Sequence, residues 1–416
     1  MKDFVSKYFK YLVLIALIYM PIFGHLDALP IRQWDESRLA MNAYEMNKDG
    51  DFIVTHYEGE PEMWNTKPPL LIWLQVAFMK LIGVNELAVR LPSAFAALFT
   101  CLVLLIFFLR YIKQFWFGFV VVVVLITSQG FINEHASRTG DYDALLTLFT
   151  TIGGLVFFAF IETKKNVYLY LFFLSIALAV LTKSISGLLF IPAIVIYSIW
   201  QRQVINILKN KHFYFGLASF LILVVGYYLL RELKNPGFIE AVNNNELGGR
   251  YFNEIEGHKH GFWYFYNNFI DYKLSYWCLY IPCGLLIGLF SKDNKINKIT
   301  VFSMLMILVY FIIISSSKTK LDWYDVPLFP FLAILTTIFI YYVYDMIKNF
   351  KMFNETLRIN ILPFIFLFLV LITPYRMILD KTYHPKELAK DIEMYEIGHF
   401  LKEAIKGRQE IDNYFL

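Results

Sequence analysis

Runs of apolar residues, each about as long as a bilayer is thick, recur about eleven times along this 416-residue chain. They constrain its fold more than any other feature. The hydrocarbon core of a bilayer is about 30 Å thick, so a helix rising about 1.5 Å per residue needs roughly 20 apolar residues to cross it. No water reaches the backbone inside lipid, so a lone spanning segment must be helical. The expectation is an all-α integral membrane protein, a multi-pass helical bundle. Composition agrees. Some 58% of residues are hydrophobic and 17% charged, against roughly a quarter charged in a soluble domain.

The expected spans lie at about 8–28, 91–109, 115–132, 142–161, 167–182, 185–200, 213–231, 273–290, 299–315, 326–346 and 358–378. The stretch 68–83 is ambiguous, and as a span it would move every later loop to the opposite side. Reading it as an interfacial helix gathers Lys2, Lys7, Lys10, Arg110, Lys113, Lys164, Lys165, Arg202, Lys209, Lys211, Lys292, Lys295, Lys298, Lys348, Lys351 and Arg358 on one side. The positive-inside rule makes that side cytoplasmic, with the N-terminus inside and the C-terminus outside. Trp73, Gln75 and Lys80 suit 68–83 to an interface. Residues 11–23 resemble a signal-peptide core, but no small-residue cleavage site follows, so the first run reads as an uncleaved span.

The net charge of +4 says little about nucleic acid, because the basic residues sit between spans, and no nucleic-acid partner is expected. Cys101, Cys278 and Cys283 fall in apolar runs without metal-ligand spacing and read as small buried hydrophobes. No internal repeat or second large domain is visible. Residues 1–378 form the membrane module. Residues 379–416 form a short external tail, with a helix expected from Glu387 to Ile405.

The orientation comes from basic residues alone, yet it brings the unusual polar segments to the external side. These are 30–67, 133–143, the turn at Lys183, 232–272 and 316–325. Asp35 and Glu36 follow the first span directly. Asp35 can cap a helix 36–48 that buries Leu39, Ala43 and Met46 and stops at Gly50. Two adjacent carboxylates at a membrane surface also suit a general base or a cation ligand. Asp141 and Asp143 enter an apolar run, where a carboxylate is costly and tends to be functional; helix capping is the plainer role. In Lys67-Pro68-Pro69 the prolines stiffen the entry to a helix and hold the Lys67 ammonium as a phosphate anchor. Lys183 at a helix end either snorkels to the interface or meets an anion. Arg250 keeps its charge and grips phosphate bidentately. Tyr324 can donate to a phosphate oxygen, with Lys318 or Lys320 adding charge. Asp325 beside them is unusual: it points away or holds a sugar hydroxyl.

The order and spacing of these fragments resemble the polyprenyl-phosphate-sugar glycosyltransferases of the GT-C fold, the class of aminoarabinose transferases and protein O-mannosyltransferases. Similarity extends over most of 30–330 and is strongest over 34–92, from Trp34-Asp35-Glu36-Ser37-Arg38 to Ala88-Val89-Arg90-Leu91-Pro92. The resemblance implies that Asp35 is the base or activator. It favours the register of Asp143 before Ala-Leu-Leu, with Asp141 the alternative. It assigns Lys183, in a Leu-Thr-Lys-Gly-like element whose Gly is here Ser184, to phosphate or sugar contact. Glu246, Arg250 and His258 match its Glu-His-x-x-Arg and His elements, and Tyr324 its Lys-x-x-x-Tyr-x-x-Pro. Thr66 stands where the family has Glu, Leu247 where it has His, and Gly261 where it has Pro. The first two departures remove expected metal ligands and leave a divalent cation open, with Glu62 a weak substitute. The tail 379–416 is shorter than the external C-terminal domain common in relatives, so the branch is compact or the chain truncated.

The resulting expectation is a bacterial inner-membrane enzyme with an external active site. It moves a sugar from a polyprenyl phosphate, such as undecaprenyl phosphate, to a glycolipid such as lipid A, a polysaccharide or a protein. Asp35, Glu36 and Asp143 are the catalytic candidates. Lys67, Lys183, Arg250, Lys318, Lys320 and Tyr324 are the phosphate candidates. Arg38, Asp141, Glu246 and His258 are the other substrate contacts. A lipid-sugar flippase and a non-catalytic membrane scaffold are the competing readings. A transporter often shows inverted repeats and mid-membrane polar residues, and neither is visible here.

Overall fold

The computed structural model describes residues 2–247, 251, 257–350, 361–385 and 392–405. Every expected span holds a helix. Among the described residues, seven helices are long and apolar enough to cross a membrane, including α4 (Glu86–Tyr111), α6 (Asp143–Thr163) and α7 (Val167–Lys183, continued to Leu188). The others are Lys211–Lys234, Asn294–Ser316, Asp322–Asn349 and Leu362–Tyr383. The remaining expected spans hold shorter apolar helices: Phe9–Phe23 within α1 (Lys2–Phe23), α5 (Phe115–Ile126), α8 (Ile191–Trp200) and Tyr280–Leu289. The protein is a multi-pass helical membrane protein.

The segment expected at the interface forms α3 (Leu70–Ile82), 13 residues long. At about 1.5 Å per residue it extends about 20 Å, short of a hydrocarbon core. Pro69 starts it, Gly83 at φ 85° stops it, and Leu71, Ile72, Gln75, Val76 and Met79 face inward. It packs on α4 and on α2 (Asp35–Asp49).

Helix α2 buries Leu39, Ala43 and Met46 as the sequence implies, and Gly50 at φ 74° closes it with its N–H on the Met46 carbonyl. Its N-cap, however, is Trp34, and the Asp35 side chain makes no cap. Asp35 sits in the first turn, where the helix dipole favours a carboxylate. A short hairpin departs from an all-α chain: β1 (His56–Tyr57) and β2 (Glu60–Pro61) pair antiparallel across Glu58-Gly59. Both turn residues have positive φ, as a two-residue hairpin turn requires.

Helix α6 packs against α4, α7 and the 3-10 turn Asp322–Leu328. Three chain segments therefore meet at its N-terminal end. Cys101 is buried as expected, but Cys278 is half-buried and Cys283 exposed. Tyr280–Leu289 turns Gly284 and Gly288 inward instead. A Cβ at Gly284 would meet the Leu335 carbonyl at 1.8 Å, so only glycine lets these helices approach. In the tail, Ile392–Ile405 is helical, and the earlier part of the expected helix lies outside the described residues.

Candidate active site

Asp141, Tyr142 and Asp143 are consecutive at the start of α6, and their side chains enter three separate networks. Asp141 faces the first. Its Oδ1 lies 3.5 Å from His135 Nδ1, which is 3.7 Å from Asp35 Oδ2. The Thr139 hydroxyl donates to its other oxygen. Burial opposes charge on Asp141, but His135 and Thr139 outweigh it and hold the carboxyl below its usual range. Burial likewise disfavours the His135 imidazolium, and Asp141 with Asp35 reverses this and raises its pKa. The imidazole stacks on Trp323, with ring centres 3.6 Å apart and planes 11° from parallel.

Asp143 faces the second network. Lys183, at the end of α7, donates to both its carboxylate oxygens at 2.6 Å. The same ammonium lies 5.4 Å from the centre of the Tyr324 ring. Tyr142 faces the third. Its hydroxyl accepts from Asn65 Nδ2 at 3.0 Å, and Lys67 Nζ lies 5.7 Å from its ring. Lys67 pairs with Glu246 at 3.1 Å.

Asp35, Asp141, Asp143, Lys67, Lys183, Glu246 and Tyr324 thus surround one turn of chain. Other candidates are placed elsewhere. Glu36 is 1% exposed, and four donors fill its two oxygens. Oε1 accepts from Arg90 Nε (2.8 Å) and the Gly140 N–H (2.9 Å), and Oε2 from Arg90 Nη2 (3.0 Å) and the Arg32 N–H (2.9 Å). Arg90 spends its remaining donors on the carbonyls of Leu26, Leu29 and Pro30. The pair ties the loop after α1 to α4, and a carboxylate so saturated has no lone pair left for a proton acceptor's work. The structure places Glu36 as a brace beside the site.

Arg38 holds Glu62 through Nε (2.7 Å) and Nη2 (2.9 Å), and its guanidinium lies over the rings of Tyr57 and Trp64. Glu62 also accepts from the N–H groups of Trp64 and Asn65. Burial raises its pKa, but Arg38 and these amides win and lower it. It has no free oxygen for a metal. Lys320 is buried and gives its ammonium to the carbonyls of Ser317 and His260, and burial lowers its pKa. Lys318 is exposed. His258 contributes a backbone carbonyl to the Lys320 N–H at 2.9 Å. Arg250 lies outside the described residues.

Asp325, the odd carboxylate beside an anion site, is explained by Lys273, which donates to both its oxygens at 2.8 and 2.9 Å. Sequence reasoning missed Lys273, His135 and Trp323. Lys273 looked like the polar edge of an apolar run, and His135 like one polar residue in a polar loop.

Asp35, His135 and Asp141 each bring a ligand atom within 4.8 Å of the others, the group with such spacing among the described residues. Two carboxylate oxygens and an imidazole nitrogen suit a divalent cation such as zinc or manganese. Three of the eight non-glycine residues with positive φ among the described residues lie here. Trp34 (φ 69°), His135 (φ 55°) and Ser184 (φ 48°) adopt positive φ directly beside Asp35, Asp141 and Lys183. Such conformations cost of order 1–3 kcal/mol and cluster at functional sites.

Comparisons with known proteins bear on the fold and the family resemblance. Residues 66–228 match the family model described as dolichyl-phosphate-mannose-protein mannosyltransferase. An undecaprenyl phosphate-alpha-4-amino-4-deoxy-L-arabinose arabinosyl transferase of Aeromonas salmonicida is 28% identical over 339 residues, covering 74% of this chain and 56% of that protein. An uncharacterized protein of Aquifex aeolicus is 25% identical over 335 residues, covering 80% of this chain and 64% of its own length. The crystal structure of ArnT from Cupriavidus metallidurans bound to undecaprenyl phosphate superposes with a TM-score of 0.70 at 17% identity, covering 94% of this chain and 76% of that one. The chain therefore spans somewhat over half the length of these two curated relatives.

Proposed function

We propose that this protein, a GT-C fold relative of the polyprenyl-phosphate sugar glycosyltransferases, moves a sugar from a polyprenyl phosphate to an acceptor hydroxyl. The acceptor belongs to a glycolipid, a polysaccharide or a protein. The observation that carries this reading is the turn Asp141–Asp143, with carboxylates Asp35 and Asp141 on one side and Lys67, Lys183 and Tyr324 on the other. A displacement at an anomeric carbon needs both: a group to take the acceptor proton, and positive charge for the departing phosphate.

Asp35 is the proton acceptor. Its side chain is 38% exposed, so a hydroxyl can reach it, and it stands at the positive end of α2. The attack inverts the anomeric centre and expels the lipid phosphate. Lys67, Tyr324 and Arg250 stabilise the charge that develops on it. A divalent cation at Asp35, His135 and Asp141 would add Lewis acidity beside the acceptor. Lys183 gives two of its three protons to Asp143 and lies by the Tyr324 ring, so it fixes that carboxylate and adds to the positive side. Loop charge supports an orientation with the N-terminus in the cytoplasm and this site on the external face of a bacterial inner membrane. Polar residues gathered at helix ends, rather than at mid-membrane, weigh against a flippase.

Binding of polyprenyl phosphate to the purified protein in detergent tests the reading. Wild type should bind. Lys67→Ala and Arg250→Ala should each weaken binding about 10- to 100-fold, the range for losing a charged hydrogen bond of about 1.5–3 kcal/mol. A folded wild type that does not bind would overturn it.

A further inference from the structure

Lys273 is 2% exposed and takes no direct part in the proposed transfer, yet its bonds reach the elements that do. It ends a π-helical turn, Phe269–Lys273, a distortion that concentrates at functional sites. Its ammonium donates to both oxygens of Asp325 and to the Asp322 carbonyl, and lies 3.1 Å from Asp322 Oδ1. That Oδ1 also accepts from Asn268 Nδ2 at 2.7 Å and from the Tyr272 hydroxyl at 2.5 Å. The turn Asp322–Leu328 is therefore fastened at Asp322 and again at Asp325.

Trp323 and Tyr324 lie between these two fastenings. Trp323 stacks on His135 and so meets the Asp35–Asp141 side. Tyr324 places its ring over Lys183 on the Asp143 side. The segment around Lys273 also holds the strand of chain that leads to His135. The Lys273 carbonyl accepts from the Gly130 N–H at 3.3 Å, and Trp277 Nε1 donates to Thr127 Oγ1 at 3.2 Å. An apolar pair of similar volume would hold these segments together at least as well as a buried ion pair. It would not fix their direction, as an ammonium aimed at three specified acceptors does.

We propose that Lys273 is a positioning residue of the transfer site: by fastening Asp322 and Asp325 on either side of Trp323 and Tyr324, it sets the spacing between the phosphate side and the acceptor side. This rests on the transfer reading above. Lys273 does not touch substrate, because its three hydrogen bonds use the three protons of its ammonium.

The test uses the double variant Lys273→Met/Asp325→Asn, which removes the ion pair without stranding either charge. Melting in detergent, polyprenyl phosphate affinity, donor KM and kcat are measured together. The expected result is a melting temperature within a few degrees of wild type, affinity at least tenfold weaker, and donor KM raised along with a fall in kcat. Wild-type affinity and turnover in the folded double variant would overturn the proposal. So would a loss of activity that only tracks the folded fraction. Should the double variant fail to fold, Asp322→Ala serves: it keeps the buried Lys273–Asp325 pair and the bond to the residue-322 carbonyl, and removes the side-chain part of the first fastening, where Oδ1 meets Lys273, Asn268 and Tyr272. Unchanged donor affinity there overturns the proposal, and weakened affinity supports it. If wild type itself binds no polyprenyl phosphate, the transfer reading fails and takes this inference with it. Wild-type binding with unaffected variants sinks the positioning role alone.

Discussion

Lys183 grips Asp143 by both carboxylate oxygens, each 2.6 Å from the ammonium, where the end of α7 meets the start of α6. Both side chains are under 10% exposed. Removing one partner leaves the other charge buried and alone. Asp143→Asn should therefore cost about 3–5 kcal/mol, read as a large fall in melting temperature. The double variant Asp143→Asn/Lys183→Met should recover most of that loss, since neither charge is stranded. Its turnover separates the two roles. Continued inactivity of the stable double variant is expected if Asp143 also faces substrate; wild-type turnover would make the pair a brace only.

Asp35 and Glu36 are neighbours in sequence and should differ in how they fail. Glu36→Gln strands Arg90, whose guanidinium is 3% exposed, and should destabilise by about 3–5 kcal/mol. Asp35→Asn changes a partly exposed side chain that caps nothing, and should leave melting within about 0.5 kcal/mol of wild type. Yet Asp35→Asn should abolish transfer, while Glu36→Gln should lose activity only in proportion to folded protein. Turnover assays beside melting curves in detergent decide this. Full turnover in Asp35→Asn would remove it as the base.

The same pair shows what a sequence can and cannot carry. Helix positions were legible because a bilayer imposes one length and one polarity, and for 68–83, ambiguous by itself, loop charge gave the interfacial reading. The residues around Asp141–Asp143 were legible as a set because loop charge sorts loops by side. Pairing within that set was not. Glu36 meets Arg90 across 54 positions, and nothing local distinguishes a carboxylate with four donors from one left open. Lys273 was hidden for a related reason. At the edge of an apolar run a lysine reads as an interface residue, and only the fold brings Asp322 and Asp325 to it. His135 needed its unusual backbone, with φ 55°, to turn its ring between two carboxylates.

Ser184 occupies a backbone conformation that side chains resist, with φ 48° and ψ −134°. Glycine enters that region freely. Relief of strain is worth of order 1–3 kcal/mol. Against it stand about 0.5–1 kcal/mol of extra chain entropy for glycine and the hydrogen bond from the Tyr228 hydroxyl at 3.1 Å. Ser184→Gly should therefore raise stability by up to about 1 kcal/mol, seen as a small upward shift in melting. A clear fall would mean that the Tyr228 bond matters more than the backbone.

Glu62 gives the loop between α2 and α3 a defined response to acid. In the folded protein its carboxyl titrates below the 4.5 of a free glutamate, because Arg38 and the amides of Trp64 and Asn65 outweigh the effect of burial. Between the two pKa values the unfolded chain binds more protons than the folded one, so stability rises with pH across that window. The contribution is fully present above about pH 4.5 and disappears as pH falls through the lower, folded value. Glu62→Gln lacks it at every pH. The melting difference between wild type and Glu62→Gln should accordingly be constant from pH 8 down to about 5 and shrink below about 4. A difference that persisted unchanged at pH 3 would show that Glu62 stabilises the loop through its shape and amide contacts, with the charge on Arg38 contributing nothing.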